Sequence, residues 1–230
     1  MGLAHSPRIV TDGLVLALDA GNTKSYPGSG TTWTDLSGNG NNGTLENDVG
    51  YDSGNGGALS FDGTDDYATG NINIALGITN VSINCWVNIS TTSKKGAFLK
   101  VGGGGNSGYA LGVGNNTMDS DGNEILGLFT KVRWIETNAS YGTGWKYVTL
   151  VLNASSVPSI YVDSTLIGSY SGLTPNSPDS FYYVGRNIGD EPSGVRAFNG
   201  NIAQVSIYNR ALTAEEVQQN FNALRGRFGI

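Results

Sequence analysis

The C-terminal part of the chain has a strand pattern that leads directly into a capped helix, and few folds accommodate this order of elements. In the strand, apolar and polar residues alternate: Ala203, Val205 and Ile207 against Gln204, Ser206 and Tyr208. This period of two is typical of a half-buried strand. Thr213 stands three residues before Glu216, the spacing of a capping box, and the pattern predicts a helix over about 214–225. The helix should lie against the rest of the protein, over a sheet edge, through its apolar stripe of Val217, Phe221 and Leu224.

Strand-like segments, separated by turn residues, follow one another along the rest of the chain. They are Leu14–Asp19, Ala58–Asp62, Val81–Ile89, Ala97–Val101, Tyr109–Val113, Ile125–Glu136, Trp145–Asn153, Ser159–Asp163, Phe181–Val184 and Ile202–Tyr208. The 35 glycines among 230 residues indicate a turn-rich, all-β protein. All-β domains of this length are common, so we expect one domain over residues 1–230, with short extensions at about 1–11 and 226–230. If the extensions anchor the protein to a partner, Phe228 and Ile230 are the expected contacts.

The segment Val81–Ile89 has the clearest alternation. Its apolar face contains Val81, Ile83, Cys85, Val87 and Ile89, and its other face contains Ser82, Asn84, Trp86 and Asn88. Cys85 is therefore predicted to be a core thiol rather than a nucleophile. Because it is the only cysteine, no internal disulfide is possible.

Charge and N-terminal sequence exclude several classes of partner. The net charge is −6, and the 13 lysines and arginines form no basic cluster, so we expect neither nucleic acid nor an anionic membrane as a partner. Residues 1–8 lack a basic segment followed by an apolar one, and no apolar stretch is long enough for a membrane span. We expect a chain made in the cytoplasm without a signal peptide.

The residues needed for catalysis are few. The only histidine is His5, near the N-terminus, which argues against a Ser-His or Cys-His mechanism. Glycoside hydrolysis needs two carboxylates that face one cleft, and no predicted strand carries them at alternate positions. The nearest group, Asp119, Asp121 and Glu124, has Gly and Asn neighbours that favour a solvated hairpin turn over a metal site. We expect no enzyme, with a glycoside hydrolase or lyase as a remote alternative.

Two groups of residues are candidates for binding. Asp62, Asp65 and Asp66 are three carboxylates within five residues, and either a calcium ion or a hydrogen-bonded turn would relieve their repulsion. In the turn, Asp62 and Asp65 would accept backbone N–H groups. The aromatic and cationic candidates for stacking on a sugar are Arg133, Trp134, Tyr141 and Tyr109. Ordinary packing is the alternative for each of them.

Four ordered blocks cover most of the chain. They are LSFDGTDDY (59–67), VSINCWV (81–87), WKYVTLV (145–151) with IYVD (160–163), and GNIAQVSIYNRALTAEEV (200–217). These blocks resemble the laminin-G-like jelly rolls of the concanavalin A-like lectin/glucanase superfamily. The resemblance implies an all-β, two-sheet antiparallel jelly-roll sandwich with one short C-terminal helix.

The resemblance also suggests where the protein is found. At two points the chain departs from the family. Residues 5–26 and 33–45 look like the version found in tailed-phage virion proteins, which implies a chain mounted on a particle. Many relatives have Asp where this chain has Ala203, and that Asp helps to hold a structural calcium ion. Active glycosidases of the superfamily carry paired carboxylates on one strand of the concave sheet, and this chain shows none.

The expected function is therefore a non-enzymatic virion structural protein, displayed on the capsid or the tail as a decoration or adhesion module. The alternative is a lectin-like domain that recognises a host-surface glycan. The expected partners are other virion proteins, a host glycan and further copies of the chain. No cofactor is required by this prediction, and calcium is the one alternative.

Overall fold

Two antiparallel β-sheets pack face to face and enclose the main core. The computed structural model describes residues 7–73, 76–77, 79–90, 96–102, 108–114, 124–130, 133–140, 142–169, 178–187 and 196–230. At 114, 124–130, 133–140, 187 and 196 it describes the backbone alone.

The strands and the helix have the following bounds. They are β1 (Leu14–Asp19), β2 (Thr32–Trp33), β3 (Gly43–Glu46), β4 (Gly50–Asp52), β5 (Ala58–Asp62), β6 (Tyr67–Asn71), β7 (Val81–Ile89), β8 (Gly96–Val101), β9 (Tyr109–Gly114), β10 (Glu124–Thr130), β11 (Arg133–Ser140), β12 (Gly144–Leu152), β13 (Pro158–Val162), β14 (Thr165–Ser169), β15 (Phe181–Val184), β16 (Arg186–Asn187), β17 (Arg196–Ala197), β18 (Asn199–Tyr208) and α1 (Ala214–Leu224). Short 3-10 turns cover Gly54–Gly56 and Arg225–Arg227.

Sheet 1 has the order β14–β13–β12–β7–β18–β5–β4, and β1 pairs with the C-terminal part of β18 beyond β5. Sheet 2 has the order β11–β10–β9–β8–β15–β6–β3–β2. Strands β16 and β17 form a two-stranded ribbon. The all-β sandwich with one short C-terminal helix is thus confirmed, and the capping box at Thr213 and Glu216 begins the helix as predicted.

The main core lies between the two sheets. Sheet 1 contributes Leu16, Ile83, Cys85, Val87, Leu150, Val205 and Ile207, and sheet 2 contributes Leu45, Ala68, Phe98, Leu99, Tyr182 and Val184. Cys85 is fully buried, which confirms it as a core thiol. Burial of this apolar surface is the dominant favourable term in folding.

A second apolar cluster covers the outer face of sheet 1. Here α1 and the C-terminal residues pack against Trp86, which stacks on Phe228 at a ring-centroid distance of 4.2 Å and on Phe221 at 5.7 Å. Strand β7 is therefore buried on both faces. The helix lies over this face of the sheet and not over an edge, because the large ring of Trp86 needs a partner layer of its own.

A β-bulge places Ala203 on the opposite face of β18 from the one predicted. The pairing of β18 with β7 shifts between Ile202 and Gln204, so one extra residue lies on the bulged strand. Val205 and Ile207 face the main core as predicted, whereas Ala203 belongs to the outer cluster beneath the helix layer.

The predicted single strand Ile125–Glu136 is wrong. The chain reverses between Thr130 and Arg133, which pair with each other, and forms the hairpin of β10 and β11. The sequence around this reversal lacks the Gly, Pro or Asn that usually marks a tight turn. Apolar alternation on both sides of it therefore looked like one long strand.

The described parts of the terminal extensions pack against the sandwich. Phe228 is 6% exposed and Val10 is 8% exposed, while Ile230 remains exposed. The expectation that Phe228 offers a contact to a partner is therefore wrong, because sheet 1 already covers its ring. Among the described residues, no helix has the length and apolar character to cross a membrane.

Candidate functional site

A cleft of about 720 Å³ opens where the edge of sheet 1 meets the edge of sheet 2. Edge strand β4 of sheet 1 contributes Tyr51, and β3 with its following loop contributes the segment 45–49. The segment 28–31, which precedes β2, closes the third side. The cleft thus collects residues from three separate stretches of the first quarter of the chain.

Two tyrosines form one wall of the cleft. The rings of Tyr26 and Tyr51 lie 5.4 Å apart, centroid to centroid, at an interplanar angle of 53°. Tyr26 is buried, and its hydroxyl donates to the carbonyl of Gly30 at 2.9 Å, which fixes the glycine-rich loop. Burial, together with the proximity of Tyr51, raises the pKa of Tyr26. Tyr51 is 39% exposed and lines the cleft.

The opposite rim of the cleft is acidic and polar. It contains Glu46, Asn47 and Asp48. Asn47 and Asp48 both have left-handed backbones, with φ of 61° and 62°, a conformation that Asn and Asp adopt more easily than other non-glycine residues. The Asn47 side-chain amide donates to the carbonyl of Asp65 at 2.9 Å, so the rim is tied to the neighbouring acidic turn.

The turn 62–66 brings its three carboxylates together within 4.8 Å. Asp62 Oδ1 accepts from the Thr64 N–H at 2.7 Å, and Asp66 Oδ2 accepts from the Asp62 N–H at 2.9 Å. The hydrogen-bonded turn is therefore present, with Asp66 supplying the second acceptor where Asp65 was predicted. Calcium takes carboxylate oxygens of this kind, and calcium at Asp62 and Asp65 stays a prediction.

The pKa values of this turn reflect those contacts. The backbone N–H of Thr64 holds the pKa of Asp62 below its ordinary value. Burial raises the pKa of Asp66, and the negative charges of Asp62, Asp65 and Asp48 add to the rise. The end of the molecule beside the cleft therefore carries a concentrated negative charge.

An aromatic surface on the outer face of sheet 2 adjoins the turn. Thr69 of β6 lies opposite Tyr183 of β15. Tyr67 lies two residues before Thr69 on the same strand, and its ring centroid is 6.4 Å from that of Tyr183. The Arg186 guanidinium carbon lies 5.3 Å from the centre of the Tyr67 ring, a cation–π contact. Burial raises the pKa of Tyr183, and the Asp179 charge contributes, so its phenol stays neutral.

The residues predicted from sequence to stack on a sugar lie elsewhere. Tyr109 is fully buried in the main core, and burial raises its pKa, so its ring is not available at the surface and this part of the prediction is wrong. Arg133 and Trp134 begin β11, which is the edge strand of sheet 2 farthest from the cleft. The structure describes only the backbone of these two residues. Tyr141, His5, Asp119 and Asp121 lie outside the described residues, as does the side chain of Glu124.

Sequence reasoning missed the two cleft tyrosines. Tyr26 precedes the turn sequence Pro27-Gly28-Ser29-Gly30, and Tyr51 lies on a three-residue strand. The available signal was an aromatic residue within glycine-rich, polar sequence. Nothing in the sequence pairs the two rings, since the contact spans sheet edges.

Comparison with solved structures places the fold among toxin binding domains. The botulinum neurotoxin serotype D binding domain matches with a TM-score of 0.67 at 16% identity, over 92% of this chain and 52% of that chain. The binding domain of botulinum neurotoxin DC in complex with rat synaptotagmin II matches with a TM-score of 0.70 at 18% identity, over 94% and 52%.

A third structure is described by the statement that cell entry of botulinum neurotoxin type C is dependent upon interaction with two ganglioside molecules. It matches with a TM-score of 0.69 at 19% identity, over 94% of this chain and 52% of that chain. The chain thus spans about half the length of these structures. At such identities the likeness concerns the fold alone.

Comparison of sequences gives the family. No curated protein sequence matches the chain at a significant level. The family model Laminin_G_3, described as Concanavalin A-like lectin/glucanases superfamily, matches residues 61–218. This match covers well over half of the chain and includes three of the four resembling blocks in full, and the chain belongs to the Laminin_G_3 family of that superfamily.

Proposed function

We propose that this protein is a carbohydrate-binding module without catalytic activity, and that the cleft beside Tyr51 is its sugar site. The observation that carries the proposal is the exposed ring of Tyr51, held against Tyr26 and facing a rim of Glu46, Asn47 and Asp48. Flat aromatic rings pack on the apolar faces of sugars, and carboxylates and amides bond to sugar hydroxyls.

The size and fixed geometry of the cleft support the same proposal. Its volume of about 720 Å³ lies in the range of ligand pockets, roughly 300–1,000 Å³. The Tyr26–Gly30 hydrogen bond and the bond from Asn47 to Asp65 hold two of its walls in place. Pre-organised walls reduce the entropy lost on binding.

The solved neighbours support binding of a glycan as a class. Two are described as binding domains, one of them in complex with SialylT, and a third is described by a dependence of toxin cell entry on two ganglioside molecules. Their own ligands do not transfer to this chain, which spans about half of each. The rim here is acidic, so we expect a neutral or amino sugar to bind better than a sialylated one, because like charges repel at short range.

Glycan-array binding followed by titration of the best glycan tests the proposal. Tyr51→Ala should weaken binding by about fivefold or more, the loss of one aromatic contact of about 1 kcal/mol. Leu166→Ala, which truncates an exposed side chain on β14 at the other edge of sheet 1, is the matched control and should bind as the wild type does.

A third variant, Trp134→Ala, distinguishes the cleft from the site predicted on β11. The assignment to the cleft would be overturned if Trp134→Ala lost binding while Tyr51→Ala bound as the wild type does. Release of sugar from the same glycans would overturn the proposed lack of catalysis and favour a glycoside hydrolase. Repeating the titration with a calcium chelator tests the ion predicted at Asp62 and Asp65.

We further propose that the module is displayed on a phage capsid or tail; the resemblance of residues 5–26 and 33–45 to tailed-phage virion proteins supports this proposal. Other virion proteins and further copies of the chain would then be its partners. Immunogold labelling of purified particles tests the location. Particles without label, prepared from cells in which the chain is abundant, would contradict it.

A further inference from the structure

The guanidinium of Arg227 lies in a cage of oxygen atoms. It belongs to the 3-10 turn Arg225–Arg227, which follows α1. Nη1 donates to Asp19 Oδ1 at 2.7 Å, Nε donates to the carbonyl of Asn55 at 2.8 Å, and Nη2 donates to the carbonyl of Gly57 at 2.5 Å. The cage therefore joins the end of β1, the turn before β5 and the C-terminus.

This set of oxygens is the type that a hard divalent cation binds. One carboxylate and two backbone carbonyls, from three separate segments, are typical calcium ligands in proteins. In this structure the positive charge among these oxygens is carried by the Arg227 guanidinium. A Cβ atom added at Gly21 would meet both the Arg227 guanidinium and the Gly56 carbonyl, so the cage is filled on that side.

Ala203 lies beside the same cage. Asp19 pairs with Gln204 across β1 and β18, and the Ala20 N–H donates to the Ala203 carbonyl at 2.9 Å. The family resemblance implies an aspartate at this position as a ligand of structural calcium. The methyl group of Ala203 offers no ligand, and it is packed in the apolar cluster with Phe228. With the Arg227 guanidinium among the oxygens and no side-chain ligand at Ala203, the residues present here therefore do not fit a calcium ion.

We propose that Arg227 takes the place of a structural metal ion, filling an oxygen site made by Asp19, Asn55 and Gly57. The fold is then independent of calcium at this point. The oxygens remain a cation site by chemistry, and they bind a divalent or trivalent ion once the guanidinium is removed. This proposal stands apart from the sugar site.

Thermal unfolding with calcium and with a chelator tests the proposal. The wild type should show the same unfolding midpoint in millimolar calcium and in chelator. Arg227→Ala should unfold at a lower midpoint, and millimolar calcium should restore part of the loss. Arg225→Ala is the matched control, because Arg225 lies in the same turn and the contact described for its side chain is with the Phe221 ring, outside the cage. Its midpoint should not respond to calcium.

Terbium luminescence gives a readout that does not depend on stability. The Tyr51 hydroxyl lies next to Gly57, so a terbium ion in the emptied cage should be sensitised by tyrosine excitation. The double variant Asp19→Asn/Arg227→Ala should lose the calcium response and the luminescence that Arg227→Ala gains over the wild type. Luminescence from an ion at the acidic turn 62–66 would be the same in all three proteins.

Two results overturn the proposal. A wild-type midpoint that falls in chelator, with Asp62→Asn/Asp65→Asn not removing the fall, shows that a metal ion holds the fold despite Arg227. An Arg227→Ala variant that neither gains stability from calcium nor sensitises terbium shows that the oxygens form no cation site. If the Arg227→Ala variant does not fold in chelator, its folding on addition of calcium supports the proposal, and its failure to fold in calcium overturns it.

Discussion

Cys85 shows how completely the core determines the chemistry of a single residue. It lies on β7 between Val148 of β12 and Val205 of β18, and it is fully buried. Burial raises the pKa of its thiol well above the ordinary range, because the thiolate would lose its hydration. A thiol held in this state neither attacks substrates nor binds metal.

We predict that Cys85 reacts with a thiol reagent only when the protein unfolds. At a reagent concentration high enough for labelling to outpace refolding, the native labelling rate should match the global unfolding rate. It should then not increase as the pH rises through about 8.5, where an exposed cysteine ionises. Mass spectrometry after timed labelling measures both rates. Ser155→Cys, at an exposed turn, is the positive control and should label at once. Fast labelling of the wild-type protein under native conditions would contradict the buried position.

At the scale of elements, α1 is held at its start by a charged cluster. The Glu216 carboxylate accepts two bonds from the Arg210 guanidinium, at 2.7 and 2.6 Å, and one from the Thr213 N–H at 2.9 Å. Arg210 also pairs with Asp12 at 2.8 Å. The cap therefore joins the helix to the turn after β18 and to the N-terminal segment.

We predict a pH-dependent contribution from this cluster. The bonds from Arg210 hold the pKa of Glu216 below its ordinary value of 4.5. A lowered folded-state pKa stabilises the fold above pH 4.5, and the stabilisation is lost as the pH falls through the folded-state value. Glu216→Gln should therefore cost about 1 kcal/mol of unfolding free energy at neutral pH, and the cost should decline toward zero in acid.

Urea unfolding of the wild type and Glu216→Gln across pH measures this difference. The same substitution in an Arg210→Ala background is the control and should show a much smaller dependence on pH. A cost that stays constant from neutral to acid pH would assign the effect to the lost cap geometry rather than to charge.

Local sequence patterns predicted the elements that are regular over several residues. The bounds of β1, β5, β7 and β15 and the capping box of α1 agree with the prediction, since period and cap chemistry are local. The short strands β2, β3, β4, β16 and β17 were missed, because two to four residues show no period, and the five-residue strands β6 and β14 were missed as well. The hairpin of β10 and β11 and the bulge at Ala203 depend on pairing with distant strands, which local alternation does not contain.

The candidate site was less predictable than the fold, for a related reason. Asp62 and its neighbours were recognisable because they are adjacent in sequence. The Tyr26–Tyr51 contact and the Arg227 cage join residues separated by many positions, and only the tertiary packing of loops and strand ends brings them together. Tyr109 was misassigned because an aromatic residue in a strand reads the same way whichever face it occupies.

The whole molecule consists of three layers, sheet 2, sheet 1 and the helix with the C-terminal residues. A closed set of hydrogen bonds links the third layer to the N-terminal segment and to β18. Asn220 accepts from the Val10 N–H at 2.7 Å and donates to the Tyr208 hydroxyl at 3.1 Å, and Tyr208 donates to the Val10 carbonyl at 2.9 Å. The N-terminal segment at Val10 is therefore part of the folded structure.

We predict that removing residues 226–230 destabilises the whole fold. The deletion takes away the Phe228 ring, which lies 4.2 Å from the Trp86 ring and 4.4 Å from the Trp145 ring, and also the Arg227 guanidinium. Loss of a buried phenylalanine side chain costs about 3–5 kcal/mol, which urea unfolding followed by tryptophan fluorescence would detect. Removing only Gly229 and the exposed Ile230 is the control, and it should change stability by less than about 0.5 kcal/mol. An unchanged midpoint for the longer deletion would show that the outer cluster does not support sheet 1. If the prediction holds, loss of particle incorporation after this deletion reports unfolding and is no evidence of an anchor.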